Sequence, residues 1–324
     1  MLQVISPLIN KEDEGINKFL LEKKYNLNFS LKQKIYYSII RPIIPISVRQ
    51  KLQNKYNSKV EFQKNFIFDD LINYLKQNFD YDKIIKNLYP NKYSSAVILT
   101  HDVEEQAGFD YIPKLLELEE KYKYKSAWNI VPYKYKIDEG IIKLIQDSGH
   151  EIGIHGYNHD GKLYYSEKIF RYRAEFINKA IRKYNAVGFR SPQVHRNLQW
   201  LQQLDIEYDA SCFDYDPFQP FPGGTGSIWP FIVGKFVELP YTLPQDHTLF
   251  YVLQQKNIDI WKNKIDWLIK NNGMILTLTH PDYLIDKKHL KFYEELLDYL
   301  KKLENTWNCL PKEITAWWKD KILK

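Results

Sequence analysis

From residue 94 onward, short apolar runs rich in β-branched residues alternate with segments of helical period, and this alternation constrains the fold more than any other feature. SSAVILT (94–100) precedes a helical stretch over 109–124, SAWNIV (126–131) precedes one over 139–149, and HEIGIHG (150–156) precedes one over 166–184. The pattern continues through AVGFRSP (186–192), a short helix over 197–204, a strand near IEYDAS and the strand FVELP. It ends with a helix over 256–271, the strand GMILTLTHP (273–281) and a helix over 287–303. Repeated strand–helix units imply an α/β fold with a parallel sheet covered by helices, and this many units imply a barrel rather than an open sheet. Sequence rich in Pro and Gly over 214–235 reads as irregular.

The first 92 residues read differently, as a mainly helical extension packing on a barrel unit that spans 93–324 and carries a C-terminal helix. Helices are expected over 13–40 and 65–78, separated by breaks at Pro42 and Pro45, with a turn near residues 90–94. Between residues 28 and 60 there is no Asp or Glu, while Lys32, Lys34, Arg41, Arg49, Lys51, Lys55 and Lys59 fall among Ile, Tyr and Leu residues. Such a segment can lie on an anionic membrane surface as a peripheral contact. The alternative is that its apolar residues pack against the barrel's helices, since the two prolines interrupt the helix a surface binder needs.

A chain of 324 residues, with 44% hydrophobic and 27% charged residues, has the composition of a soluble globular protein. It is also long enough to bury the core of a barrel. The net charge of +6 belongs to a sequence rich in Lys, Asn, Ile and Tyr, and no nucleic-acid-binding signature accompanies it. Cys212 and Cys309 stand far apart, which excludes a disulfide framework and a cysteine-based zinc cage but leaves one bridge possible. The first residues lack the basic and apolar regions of a secretory signal, and no apolar run approaches a membrane span, so a cytoplasmic location is expected.

The polar residues that could carry chemistry fall at strand ends, where barrels of this kind hold their sites. Asp102 and Glu104 are two residues apart at the end of the first strand, a spacing that puts both on one face of an extended segment. His155 and His159, four apart after the third strand, can bring two imidazole nitrogens to one metal from a loop or a first helical turn. Arg190, in GFRSP, can clamp a carboxylate through two parallel hydrogen bonds. His280 closes the last strand in LTLTHP.

Together these segments resemble the polysaccharide deacetylase family, the NodB-homology group of carbohydrate esterases. Thr100-His101-Asp102-Val103-Glu104 is similar to the family's Thr-Phe-Asp-Asp motif, and His155-Gly156-Tyr157-Asn158-His159 to its His-Ser/Thr-x-x-His. Arg190-Ser191-Pro192 and Leu278-Thr279-His280 match the third and last motifs. A closer resemblance is to a branch whose first motif reads His-Asp-Val-Asp/Glu. The resemblance implies a distorted (β/α) barrel of the NodB type and a hydrolase that removes acetyl groups from N-acetylated sugars of a polysaccharide or oligosaccharide.

It further implies a divalent metal, most simply Zn²⁺, held by His155, His159 and a carboxylate. Val103 occupies the position of the family's usual Asp ligand, and Glu104 is the expected substitute. By the same resemblance Asp102 is the general base, steadied by Arg190, His280 is the general acid, and a backbone N–H near the third motif holds the oxyanion. Asp209 is a candidate partner of His280 or Arg190. His195, Asp214, Asp216, Gln245 and Asp246 could line a glycan groove, and Trp128, Trp229 and Tyr241 could stack on sugar rings. Two other readings stand beside this one: an amidohydrolase acting on a small non-sugar amide, and a glycan-binding relic, which Val103 suggests.

Overall fold

In a computed structural model of the chain, residues 4–5, 12–24, 29–45, 48–49, 51–52, 55, 66–86 and 88–323 are described. Ten strands form one mixed, curled sheet: β1 (Val4–Ile5), β2 (Ser95–Val103), β3 (Ser126–Ile130), β4 (Glu151–His155), β5 (Gly188–Arg190), β6 (Tyr208–Asp209), β7 (Phe231–Val233), β8 (Phe236–Glu238), β9 (Met274–Leu276) and β10 (Thr306–Asn308). The order β9-β2-β3-β4-β5-β6-β8 is parallel throughout, and β7 and β1 add antiparallel strands beyond β8. The gap between β8 and β9 is bridged irregularly: Thr242 and Leu243 donate backbone N–H groups to the Leu276 carbonyl, and Met274 donates to Ile228. The result is a distorted barrel with helices Gln106–Tyr122, Glu139–Asp147, Glu167–Tyr184, Asp259–Lys270 and Lys287–Lys301 around it.

Strand β2 organises the barrel. All nine of its residues are buried, as a parallel strand covered on both sides requires. Its first half pairs with β9 on one edge and β10 on the other, and Leu99–Val103 pair with β3. The expected strand stops at residue 100 because His101 and Asp102 are polar. The observed strand continues because both find partners inside: His101 Nε2 lies 2.7 Å from Glu119 Oε1, and its Nδ1 lies 2.9 Å from Thr279 Oγ1.

Other departures have local causes. The helix expected over 13–40 is broken into Glu14–Leu20 and Leu31–Ile35, followed by a π turn, Tyr36–Ile40, and Arg41–Ile43. Ser30 starts the second piece with a capping box, accepting from Gln33 N while the Gln33 side chain accepts from Ser30 N. Pro42 sits in the first turn of the last piece, where its missing N–H costs little, so the chain leaves the helix after Ile43 rather than at Pro42. At the end of the stretch read as irregular, β7 forms a hairpin with β8, the strand expected at FVELP, across Gly234-Lys235, with Gly234 at φ +57°. A glycine-led two-residue turn between FIV and FVE is a hairpin signal. Cys212 and Cys309 are both free and buried.

Glu151 opens β4 at the end of the barrel opposite the strand C-termini. Its buried carboxyl accepts hydrogen bonds from Tyr208 Oη at 2.8 Å and Lys312 N at 3.1 Å. Burial outweighs these contacts and pushes it up to about 7 from an ordinary 4.5. Between those values the folded protein binds this proton more than the unfolded chain does, so stability falls as pH rises through that window. Glu151→Gln should remove on the order of 3 kcal/mol of this loss between pH 5 and 8, read by urea unfolding at both pH values. An unchanged pH slope would contradict the assignment.

Candidate active site

Alternation along β2 puts Thr100, Asp102 and Glu104 on the barrel's inner face and sends His101 and Val103 to the other side. Val103 is fully buried in the apolar core, while the Glu104 side chain is 22% exposed at the mouth. Glu104 Oε1 lies 2.9 Å from His159 Nε2, 3.9 Å from His155 Nε2 and 3.8 Å from His280 Nε2. Glu104, His155 and His159 each offer a ligand atom, and these atoms lie within 4.8 Å of one another.

The local backbone explains how two histidines reach one point. His155 ends β4, and the chain turns at Gly156, whose φ is +68°. A Cβ there would lie 2.4 Å from the Pro192 ring, so the position requires glycine on both counts. His159 also has a left-handed backbone, φ +58°, which swings its ring back over His155, with ring centroids 5.1 Å apart. His155 Nδ1 lies 3.0 Å from the Arg190 carbonyl oxygen. That contact assigns the proton to Nδ1 and leaves the Nε2 lone pair facing the site. Nε2 is buried and has no hydrogen-bond partner among the described residues. A buried imidazole nitrogen without a partner, beside a second imidazole and a carboxylate, fits a divalent cation with nitrogen and oxygen donors.

Asp102 sits deeper. Its Oδ1 accepts from Arg190 Nη1 at 3.0 Å and Asn129 Nδ2 at 2.9 Å, and its Oδ2 lies 3.8 Å from His155 Nδ1. Burial opposes its ionisation, but His155, Arg190 and His280 outweigh burial and hold the carboxyl below its ordinary value. Glu104 behaves alike: burial is overcome by His159, His155 and His280, which keep it well below the usual carboxylate range. Arg190 makes one contact to Asp102 rather than a bidentate clamp; its Nη1 also donates to Thr100 Oγ1 at 2.7 Å and its Nε to the Ala210 carbonyl at 2.7 Å.

His280 faces Glu104 from the other side, and its partner is Asp246. The Asp246 carboxylate accepts from His280 N at 2.7 Å and lies 2.6 Å from His280 Nδ1. Burial disfavours the imidazolium, yet Asp246, then Glu104 and Asp102, push His280 up to about 10.

Asp209, the candidate partner of His280 or Arg190, feels the Arg190 charge only through space. It hydrogen-bonds Ser211 Oγ at 2.7 Å and faces Glu238 in a buried carboxyl pair, meeting neither His280 nor the Arg190 guanidinium by a hydrogen bond. Its place at the end of β6 looked like that of a site residue, but the side chain turns into the barrel wall. Of the residues expected to line a groove, Gln245 does so. Asp214 pairs with buried Lys264, Asp216 holds Phe218 N and Gln219, and His195 packs under Tyr37. Trp128, Trp229 and Tyr241 are core residues. Ser191 N donates to Ser211 Oγ at 2.9 Å and Pro192 has no N–H, so neither is free to hold an oxyanion.

Two further residues emerge only in space. Asn129, on β3, donates to Asp102. Asp282, two residues past His280, accepts from Glu104 N at 2.9 Å, Glu105 N at 3.1 Å and Gly108 N at 3.0 Å, fixing the turn that presents Glu104. Asp102, Glu104, His155, His159 and His280 open onto one cleft of about 1050 Å³.

Residues 90–204 match the polysaccharide deacetylase family. Over 237 residues, 61% of this chain and 80% of the relative, the sequence is 24% identical to a peptidoglycan deacetylase of Helicobacter pylori. Two solved structures share the fold at a TM-score of 0.58 and 16% identity, each over 72% of this chain and 93% of its own: a Mycobacterium smegmatis protein classed with the polysaccharide deacetylases, and PuuE allantoinase. Residues 90–204 are thus similar to the polysaccharide deacetylase family, and the barrel shares the fold of these two solved structures.

Gly108 tests how tightly the Asp282 turn is packed. A Cβ there would lie 2.4 to 2.6 Å from the Asp282 carboxylate, with no room for a methyl group. Gly108→Ala is expected to destabilise the fold by about 1–3 kcal/mol in urea unfolding. A change below about 0.5 kcal/mol would show that the turn adapts freely.

Proposed function

We propose that the chain is a divalent-metal-dependent hydrolase that removes acetyl groups from N-acetylated sugars of a polysaccharide or oligosaccharide. The observation that carries this reading is the convergence, at strand C-termini in one cleft, of two imidazoles and Glu104 with Asp102 and His280 on either side. The family match over residues 90–204 supports deacetylation of a glycan. Glu104, His155 and His159 would hold the cation. When bound, a divalent ion polarises the acetyl carbonyl and lowers the pKa of water at the site.

The chain's own residues supply the proton transfers. Asp102, kept ionised by Arg190 and oriented by Asn129, takes a proton from water as its oxygen bonds to the acetyl carbon. His280, held by Asp246 through both its backbone N–H and Nδ1, gives its Nε2 proton to the sugar nitrogen as the C–N bond breaks. Acetate and a free amine result, and each such group typically contributes about 10²–10⁴-fold. Zinc is the simplest ion for a His₂–carboxylate donor set.

A cleft of about 1050 Å³ is at the upper end of small-ligand sites and suits a glycan better than a small amide. The relic reading rests on Val103, and Glu104, 2.9 Å from His159 Nε2 and 3.9 Å from His155 Nε2, weighs against it.

Acetate release from oligosaccharides of N-acetylglucosamine, measured with and without added zinc after chelation, tests the reading. Glu104→Ala should lower zinc affinity at least about 10-fold, while Val103→Ala leaves it unchanged. Asp102→Asn should abolish acetate release with zinc still bound. Loss of zinc together with activity in Asp102→Asn would make Asp102 a ligand and overturn the division of roles.

A further inference from the structure

The described residues of 29–45 are attached to the barrel the opposite way round from an ordinary surface helix. Its inward contacts are polar and aromatic. Tyr37 Oη lies 3.1 Å from His195 Nε2, Ser38 Oγ donates to Tyr165 Oη at 3.2 Å, and Tyr165 Oη donates to the Lys34 carbonyl at 3.0 Å. Phe29 packs edge-on against Tyr37 and His195. The aliphatic residues are left outside: Leu31 is 75% exposed, Ile39 59% and Ile43 75%. Of the twelve large apolar side chains exposed among the described residues, eight lie between Leu31 and Leu52. Among the described residues, packing against the barrel's helices does not cover these aliphatic side chains.

Three properties coincide here. The apolar residues Leu31, Ile35, Ile39 and Ile43 recur every four positions along the helical run and its π turn, so they form a stripe rather than a scatter. The segment carries Lys32, Lys34, Arg41, Arg49 and Lys51 with no acidic residue from 28 to 60. Arg41 and Arg49 form no ion pair with any described residue, although Arg41 lies over the Tyr37 ring at 5.6 Å. The same segment also borders the catalytic cleft, which Tyr36, Arg41 and Leu52 line together with Glu104 and His280.

We propose that this face is a peripheral docking surface for an anionic lipid bilayer. The outward aliphatic stripe enters the headgroup region and the lysines and arginines meet lipid phosphates. An apolar stripe flanked by basic residues has the composition of an interfacial segment, and the unbalanced positive charge selects an anionic surface. No helix among the described residues is long and apolar enough to cross a membrane, so the contact is superficial. Docking sets the mouth of the cleft against the membrane, where a glycan carried on a lipid would be presented to it. The docking itself is independent of the reaction proposed above.

Co-sedimentation of the full chain with vesicles tests this. Vesicles of phosphatidylcholine with about a quarter phosphatidylglycerol should retain the protein at low salt, and pure phosphatidylcholine vesicles should not. Leu31→Asp/Ile39→Asp should lower the partition coefficient at least about tenfold, with unchanged thermal melting and unchanged acetate release from a soluble oligosaccharide. Lys32→Glu/Lys34→Glu provides a second, charge-based variant with the same expected loss. Equal retention on neutral vesicles, or full retention by both variants, overturns the proposal. So does a stable dimer in light scattering that the Leu31→Asp/Ile39→Asp variant dissolves, because a second copy would then cover the stripe. A protein that docks but releases no acetate would sink the deacetylase reading alone.

Discussion

The Asp102–Arg190 ion pair is the contact around which the barrel's mouth is arranged. Arg190 leaves the end of β5, crosses the interior to Thr100 and Asp102 on β2, and holds the Ala210 carbonyl just past β6. Both side chains are essentially removed from solvent. Two charges in such a place cost several kcal/mol each to desolvate, and their attraction offsets that only when the remaining donors and acceptors are satisfied. Asn129 and Thr100 supply part of that satisfaction. A buried pair of this kind is weak evidence for stability, but it fixes where the Asp102 carboxylate points.

The polar residues of the barrel thus fall into two layers that sequence proximity conceals. His101 and Asp102 are neighbours with opposite fates. Asp102 faces the cleft, while His101 stacks on Trp128 at 4.2 Å and joins Glu119, Ser126 and Tyr293 in a buried network beneath the helices. The same alternation accounts for Val103. A strand places every second side chain on one face, so the inner positions here are 100, 102 and 104, and a carboxylate at 103 would point into the apolar core. Glutamate at 104, fixed by Asp282 through its backbone N–H, reaches both imidazoles.

Much of this was legible in the chain. Strand–helix alternation specified the barrel, and Asp102, Glu104, His155, His159, Arg190 and His280 stood out because each lies at or just after the end of an expected strand. What was not legible depends on segments without periodic pattern. Asp246 lies just before the irregular His247–Val252 turn, and only the path of that turn brings it to His280. Asp209 misled for the converse reason: it ends a strand, yet its carboxyl pairs with Glu238 inside the wall. The N-terminal run was read as one helix because its composition favours helix throughout, although the Ser30–Gln33 capping box marks the restart plainly. No sequence rule indicated that its aliphatic residues would face outward, since that depends on Tyr37 anchoring to His195 across 158 positions of sequence.

The central claim is that Glu104, rather than the residue at 103 or Asp102, completes a cation site with the two histidines. Anomalous diffraction from zinc-loaded crystals of the full chain measures this most directly. The account predicts one anomalous peak bonded to the Glu104 carboxylate and to Nε2 of both His155 and His159, with Asp102 still on Arg190. A peak ligated by Asp102 in place of Glu104, or an ion bound away from the two imidazoles, would contradict it.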